Sequence, residues 1–268
     1  MTEYKFKFNN SVISCEHTVT DVPKNESFRM HAHDQYEIYY FLSGNAKYLV
    51  EGTEYDLKRH DLLVMKPSET HRLIVIDESV PYERAVLNFS PSVLSGVDGA
   101  GELLSQFANK PLGKFNRYRS ENFRNGFYKT CIENMYANQT KVGTQLNIIS
   151  NLIPLLLELK FAYYGDDGEY ATDEMIEYVN AHLFDDISLS GISEELYMSM
   201  TKINRNFKRL TGTTLWNYVK IKRLIAAREE IRLGKNANDV ARKCGYNDYS
   251  AFYRAYVARF GVSPGKDK

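Results

Sequence analysis

Two periodicities divide this chain. Up to about residue 90 the apolar positions fall in short aromatic and β-branched runs: Glu37–Ser43, Ala46–Glu51, Asp61–Met65, Arg72–Ile76 and Glu83–Phe89. Runs of this kind bounded by turn residues predict strands, because branched and aromatic side chains fit a pleated, half-buried surface. The separators are Ser43-Gly44-Asn45, Glu51-Gly52-Thr53, Lys66-Pro67-Ser68 and Val80-Pro81. Their spacing suits an antiparallel sandwich or small barrel.

After Pro91 the period lengthens. Phe123, Phe127, Cys131 and Met135 recur every four residues, as on one face of a helix. A second helix is predicted from Thr144, where Leu146, Ile149, Ile153, Leu156 and Leu157, with Leu152, Leu155 and Leu159 on neighbouring faces, exceed one buried stripe. Such a helix either packs deeply onto the β-module or forms a seam with a second copy, and Pro154 is expected to kink it. Tyr164–Tyr170 is polar and glycine-punctuated, as in an interdomain linker. From Thr172 to Pro264 the pattern is helical, with caps at Ser188, Ser199 and Thr213 or Thr214. The expected architecture is α+β: a β-module over 1–95, a helical dimerisation segment over 96–163, a linker over 164–171 and an all-α domain over 172–268.

The helical domain contains a repeat. Ser199–Gly212 recurs as Asp248–Gly261, displaced by 49 residues, and both copies open on a capping residue and close on glycine. Arg205 matches Arg254, Ile203 matches Phe252 and Phe207 matches Tyr256. A shorter apolar segment precedes each copy: Leu189, Ile192 and Leu196 before the first, Val240, Ala241 and Cys244 before the second. A short helix, a turn and a second helix make a helix-turn-helix, whose second helix can enter a major groove. With Ile203, Phe207 and Leu210 inward, Thr201, Asn204, Arg205 and Lys208 fall on the outer stripe; with Phe252, Tyr256 and Phe260 inward, Tyr249, Ser250, Tyr253 and Arg254 do.

Charge sharpens this picture. The 268 residues carry 34 Lys+Arg and 34 Asp+Glu, yet Ser199–Lys268 holds 16 basic and 5 acidic residues, a net of +11, and the remainder is at −11. A basic tail suggests a polyanion partner. With 43% apolar residues the composition excludes a disordered chain. Three widely spaced cysteines, Cys15, Cys131 and Cys244, argue against a disulfide framework. No apolar leader or spanning segment stands out, so a cytoplasmic location is expected. No P-loop, dinucleotide fingerprint, zinc-finger spacing or nucleophile elbow is present.

Chemistry follows from the exposed stripes. Arg205 and Arg254 can grip guanine bidentately and Asn204 can grip adenine, while Tyr249, Ser250 and Tyr253 can reach phosphates or thymine methyls. Thr201 shares the first stripe, and Lys202 and Lys208 are candidate phosphate contacts. These segments, with Tyr218–Ala227, Gly245-Tyr246 and Phe260-Gly261-Val262-Ser263-Pro264, resemble the DNA-binding domain of the AraC/XylS family of transcription regulators. The resemblance implies two helix-turn-helix units joined by a long helix over about Thr214–Leu233, both inserting into successive major grooves. It implies base reading by Thr201, Asn204, Arg205, Tyr249, Ser250, Tyr253 and Arg254, and activation through RNA polymerase. Tyr253 and Tyr256 depart from it, standing where a smaller polar residue and phenylalanine are commoner.

The β-module carries His31-Ala-His33-Asp-Gln-Tyr-Glu37, then Gly44, then His71 after Pro67, and this resembles the cupin barrel motifs. In a metal cupin two histidines, a carboxylate and a third histidine hold one divalent ion, so His31, His33, Glu37 and His71 are a possible ligand set. A metal-free effector pocket built from His31, His33, Glu37, Tyr39 and His71, and a structural cluster, are the other readings. Strand alternation puts Glu37, Tyr39 and Phe41 on one face, a polar and aromatic wall suited to a carbohydrate. The leading expectation is a ligand-responsive regulator that works without a cofactor, binds promoter DNA as a homodimer and senses a small molecule. A metal-dependent cupin enzyme, an isomerase or dioxygenase with an appended helical domain, is the competing one.

Overall fold

A computed structural model of the chain describes residues 1–137, 143–162 and 173–267. Contacts divide the chain into two compact units, Met1–Arg29 with Gln35–Tyr170, and Met30–Asp34 with Ala171–Lys268. The expected linker over 164–171 lies outside the described residues.

The first unit is built on two antiparallel sheets. The larger takes β1 (Thr2–Asn9), β2 (Ile13–Thr20), β3 (Tyr36–Ser43), β6 (Leu62–Met65), β8 (Tyr82–Phe89) and β9 (Arg117–Tyr118), in the order β1-β2-β8-β3-β6-β9. The smaller takes β4 (Ala46–Val50), β5 (Thr53–Asp56) and β7 (His71–Val75), in the order β5-β4-β7. Its strands are held in register by pairs such as Tyr48 opposite Leu73 and Val50 opposite His71.

β3 lies between β8 and β6 and is buried on both faces, so its alternation sorts side chains into two cores. Tyr36, Ile38 and Tyr40 join one cluster with Leu62, Val64, Ala85, Leu87 and Phe89. Tyr39 and Phe41 join another with Tyr48, Val50, Leu63, Met65, Leu73, Val75 and Tyr82. This second core lies between the sheets.

Helices α1 (Ala100–Ala108), α2 (Phe127–Ala137) and α3 (Thr144–Phe161) complete the first cluster. These three helices therefore share a core with β3, β6 and β8. Period-four reading misplaces two residues at the start of α2: Phe123 precedes the helix, and Phe127 is exposed while Tyr128, Cys131, Ile132 and Met135 are buried. Phe123 is still buried, stacked on Tyr128 with ring centroids 3.9 Å apart. β9 went unseen in the sequence because two residues carry no period.

A buried polar network fixes the loop leading into β9. Glu69, fully buried, accepts hydrogen bonds from Lys110 Nζ (2.6 Å), the Gly113 amide (2.9 Å), Asn116 Nδ2 (2.9 Å) and the Lys66 amide (2.9 Å). Gly113, at φ 71°, passes so close to β4 that a Cβ would lie 2.8 Å from the Val50 carbonyl.

The second unit is helical: α4 (Glu174–Ala181), α5 (Leu189–Glu195), α6 (Met200–Thr211), α7 (Leu215–Arg232), α8 (Ala237–Lys243) and α9 (Tyr249–Phe260). Its caps are those expected. Ser188 accepts from the Gly191 amide, Ser199 from Lys202, Thr214 from Asn217, and Asp248 from Ser250 and Ala251. Gly212 (φ 73°) and Gly261 (φ 70°) end the two repeat helices in the left-handed conformation that glycine tolerates best. Two separate cores form. Leu215, Tyr218 and Val219 of α7 pack with α4, α5 and α6, while Leu224, Ala227 and Ile231 pack with α8 and α9.

Two stability predictions follow from buried charge. Lys110→Met leaves Glu69 without its cation and is expected to cost about 3 to 5 kcal/mol, read as a lower urea midpoint; an unchanged midpoint would refute the network's role. Asp61, where the chain enters β6, is pushed up to about 6 by burial, against the Lys58 amide and Arg119 that favour its charge. An aspartate raised in this way binds its proton more tightly when folded. Its contribution is therefore present below about pH 4 and lost as the pH climbs toward 6. Asp61→Asn should flatten that decline, measured as urea midpoints from pH 4 to 7, and a decline parallel to the parent protein's would exclude Asp61 as its source.

Candidate nucleic-acid interface and effector pocket

The repeat helices present the faces that their spacing predicts. On α6, Ile203, Phe207 and Thr211 are buried and Leu210 half-buried, leaving Thr201, Lys202, Asn204, Arg205 and Lys208 exposed. On α9, Phe252 and Tyr256 are buried and Phe260 half-buried, leaving Tyr249, Ser250, Tyr253 and Arg254 exposed. Among the described residues neither Arg205 nor Arg254 forms an ion pair, so both guanidinium groups keep their donors for an external acceptor.

Three contacts hold these helices in place. Arg223 of α7 donates to the carbonyls of Leu183 (2.7 Å) and Asp185 (2.8 Å), tying the long helix to the chain ahead of α5. The same guanidinium passes against Gly245, in the turn before α9. A Cβ there would meet the end of the Arg223 side chain, and the φ of 78° is a conformation that favours glycine. At the other end Asp267 accepts from Arg228 Nε (2.6 Å) of α7 and from the Tyr256 hydroxyl (2.9 Å) of α9. Sequence reading missed Asp267, because a lone aspartate near the chain end has no periodic signature; only the departure at Tyr256 hinted at a hydroxyl needing an acceptor.

Between the sheets of the first unit, the candidate effector residues Glu37, Tyr39 and His71 come together. Glu37 Oε1 accepts from the Tyr48 hydroxyl (3.2 Å), and Glu37 Oε2 is 3.6 Å from His71 Nε2. His71 Nδ1 is 2.8 Å from the Glu69 carbonyl, which orients the ring. Burial opposes a charge on His71, but Glu37 and Glu69 together outweigh it and hold the ring above the ordinary histidine value. The Tyr39 and Tyr82 hydroxyls are 2.6 Å apart. Burial pushes Tyr39 and Tyr48 well above the tyrosine range, so both act as neutral hydroxyls. Tyr48, Tyr82 and Arg84 were not singled out in the sequence, since an aromatic residue on a strand looks like ordinary core.

His31 and His33 lie on Met30–Asp34, the segment that clusters with the second unit, their ring centroids 6.3 Å apart. Of the possible metal set, His31, Glu37 and His71 offer ligand atoms that all lie within 4.8 Å of one another, and His33 is not among them. Cys15, Cys131 and Cys244 are buried and unbridged, with burial pushing their thiols up to about 12, 11 and 11.

For the helical face, Arg205→Ala or Arg254→Ala should remove about 1 to 3 kcal/mol of specific DNA binding without loss of fold. Lys202→Ala or Lys208→Ala should weaken binding to every sequence and flatten the salt dependence by about one unit. Gel shifts on selected and scrambled duplexes across a salt series separate the two effects. Unchanged affinity in both arginine variants would refute base reading.

Comparison with known proteins matches both halves of the chain. A model of the AraC-like ligand-binding domain matches residues 21–132, and a helix-turn-helix domain model matches 192–268. The HTH-type transcriptional activator RhaS of Citrobacter koseri is 21% identical over 248 residues, covering 89% of this chain and 86% of its own. RhaS of Shigella flexneri is 21% identical over 263 residues, covering 94% and 92%. Among solved structures, ToxT of Vibrio cholerae is 12% identical and covers 96% of this chain and 97% of its own, with a TM-score of 0.37. An AraC-like ligand-binding domain ahead of duplicated helix-turn-helix units with exposed cations makes this chain a DNA-binding transcription regulator that belongs to the AraC family.

Proposed function

We propose that this regulator is a ligand-responsive activator, that α6 and α9 read neighbouring major grooves of one promoter site, and that the space between the sheets takes the effector. The observation that carries the reading is the pair of equivalent helices with matched, unspent guanidinium groups at Arg205 and Arg254. The curated relatives are named as transcriptional activators, which favours activation through RNA polymerase over the competing enzyme reading. Hydroxyl-binding groups at Glu37, Asn88 and His71 beside the rings of Tyr39 and Tyr48 suit a carbohydrate-like effector, with His31 and His33 as candidate contributors. No described helix is long and apolar enough to cross a membrane, and the cytoplasm is the proposed site of action. Linkage requires that the effector change DNA affinity only by its differential affinity for two states of the protein, typically about 1 to 3 kcal/mol.

Homodimerisation has a physical candidate in α3. Ile148, Leu152, Leu155, Leu156 and Leu159 are buried in the first unit, yet Leu146 (71% exposed), Leu157 (41%) and Phe161 (66%) remain on the opposite face. Ile153 is half-buried between them. One face of this helix packs inward, and the exposed face is the surface proposed to pair.

Sequencing the DNA retained by the purified protein tests the regulator. The expected product is a bipartite site with half-sites about one helical turn apart, and retention without sequence preference would overturn it. Leu157→Glu with Phe161→Glu should convert a dimer to a monomer in analytical ultracentrifugation while leaving the thermal midpoint unchanged; a double variant that stays dimeric rules out this face.

A further inference from the structure

The interior face of β8 carries charge and polarity that the protein does not compensate. Tyr82, Arg84, Val86 and Asn88 alternate on this side, opposite Ala85, Leu87 and Phe89, which pack against the helices. Across the ladders Arg84 faces Phe41 of β3 and Thr18 of β2, and Asn88 faces Glu37 and Ser14.

Arg84 is half-buried. Its Nη1 is 3.4 Å from the Tyr82 hydroxyl, and its guanidinium carbon is 5.8 Å from the Phe28 ring centroid and 5.7 Å from that of Tyr82. Among the described residues no carboxylate pairs with it. The acids nearby are engaged elsewhere: Glu37 of β3 with Tyr48 and His71, Glu16 of β2 with Lys7 at 3.0 Å, and Glu83 of β8 itself with His17 at 2.8 Å. Farther along β8, the Asn88 side-chain amide oxygen, Oδ1, is buried and accepts no hydrogen bond among the described residues.

A guanidinium stays charged at any physiological pH, and removing it from water without a counter-ion is costly. A buried carbonyl oxygen left without a donor adds to that cost. Both defects are relieved by one kind of ligand, which brings a carboxylate to Arg84 and hydroxyl donors to Asn88 and Glu37. Aromatic rings supply its apolar walls. A planar guanidinium is suited to carboxylate because two parallel N–H groups meet two oxygens.

Resting on the effector-sensing reading above, we propose that the ligand of this β-module is a polyhydroxylated carboxylic acid, a sugar acid, with Arg84 as its anion anchor and Asn88 as a hydroxyl acceptor. Neutral sugars leave Arg84 uncompensated and bind more weakly.

Calorimetric titration of the full chain compares D-galacturonate, D-glucuronate and D-gluconate with D-galactose, D-glucose and L-rhamnose. At least one acid should bind, about tenfold or more tighter than its neutral counterpart. Arg84→Met should abolish that preference, and Asn88→Leu should weaken the acid while leaving the preference in place. A second readout needs no ligand: removing an uncompensated charge should leave the thermal midpoint of ligand-free Arg84→Met unchanged or raised. A fall of several degrees would make Arg84 a structural strut and overturn the proposal. Neutral sugars that bind as tightly as the acids, and shift DNA affinity, would overturn the anion anchor while sparing the sensing role. No heat from either series would remove the acid and the carbohydrate-like effector together.

Discussion

The geometry of the DNA-binding half depends on one helix serving two cores. The first half of α7 is buried by Leu215, Tyr218 and Val219 among α4, α5 and α6, and its second half by Leu224, Ala227 and Ile231 among α8 and α9. A rigid helix rises about 1.5 Å per residue, so anchoring both cores on one such element fixes the separation and rotation of α6 and α9. Arg223 on the Leu183 and Asp185 carbonyls, and Asp267 between Arg228 and Tyr256, add directional bonds to that packing. Without this shared helix, the exposed faces of α6 and α9 would have no defined spacing or rotation.

A different constraint organises the β-module. Because β3 and β8 are covered on both sides, period-two alternation sends every other residue to the helical core and the rest between the sheets. The inner set is rich in groups that need partners: Glu37, Tyr39, Tyr48, His71, Tyr82, Arg84 and Asn88. Some satisfy one another, as Tyr48 does Glu37. The contrast with the network at Glu69 is instructive. There the Glu69 carboxylate meets a cation and three further donors and the result is a fixed loop, whereas Arg84 lacks a counter-charge and Asn88 Oδ1 lacks a donor, as groups at ligand sites do.

Much of the helical half was legible from residues alone. Caps, closing glycines and the repeat spacing are local properties, set by backbone groups that must find partners at helix ends. The exposed stripes at Thr201–Lys208 and Tyr249–Arg254 follow from helical period once the inward aromatics are known. The β-module was legible only in outline. Strand positions were visible, but β9, the role of Lys110 and the inward placement of Arg84 were not, because each depends on a partner far along the chain. Phe123 shows the same limit on a small scale, buried as its apolarity suggests yet outside the helix its spacing implied.

By itself, then, the sequence determined the class of the protein, the duplicated reading helices, their capping and the concentration of positive charge on the tail. These rest on short-range periodicity, on backbone hydrogen bonding and on summed charge, none of which requires knowing the fold. Only the tertiary structure decided that the middle helices share a core with the sheets, that Glu37 and His71 meet between those sheets, and that Arg84 lies there without a counter-charge. The physical reason is that burial and pairing are properties of contacts between distant segments, and two chains of identical local pattern can satisfy or strand the same polar group depending on what folds against it.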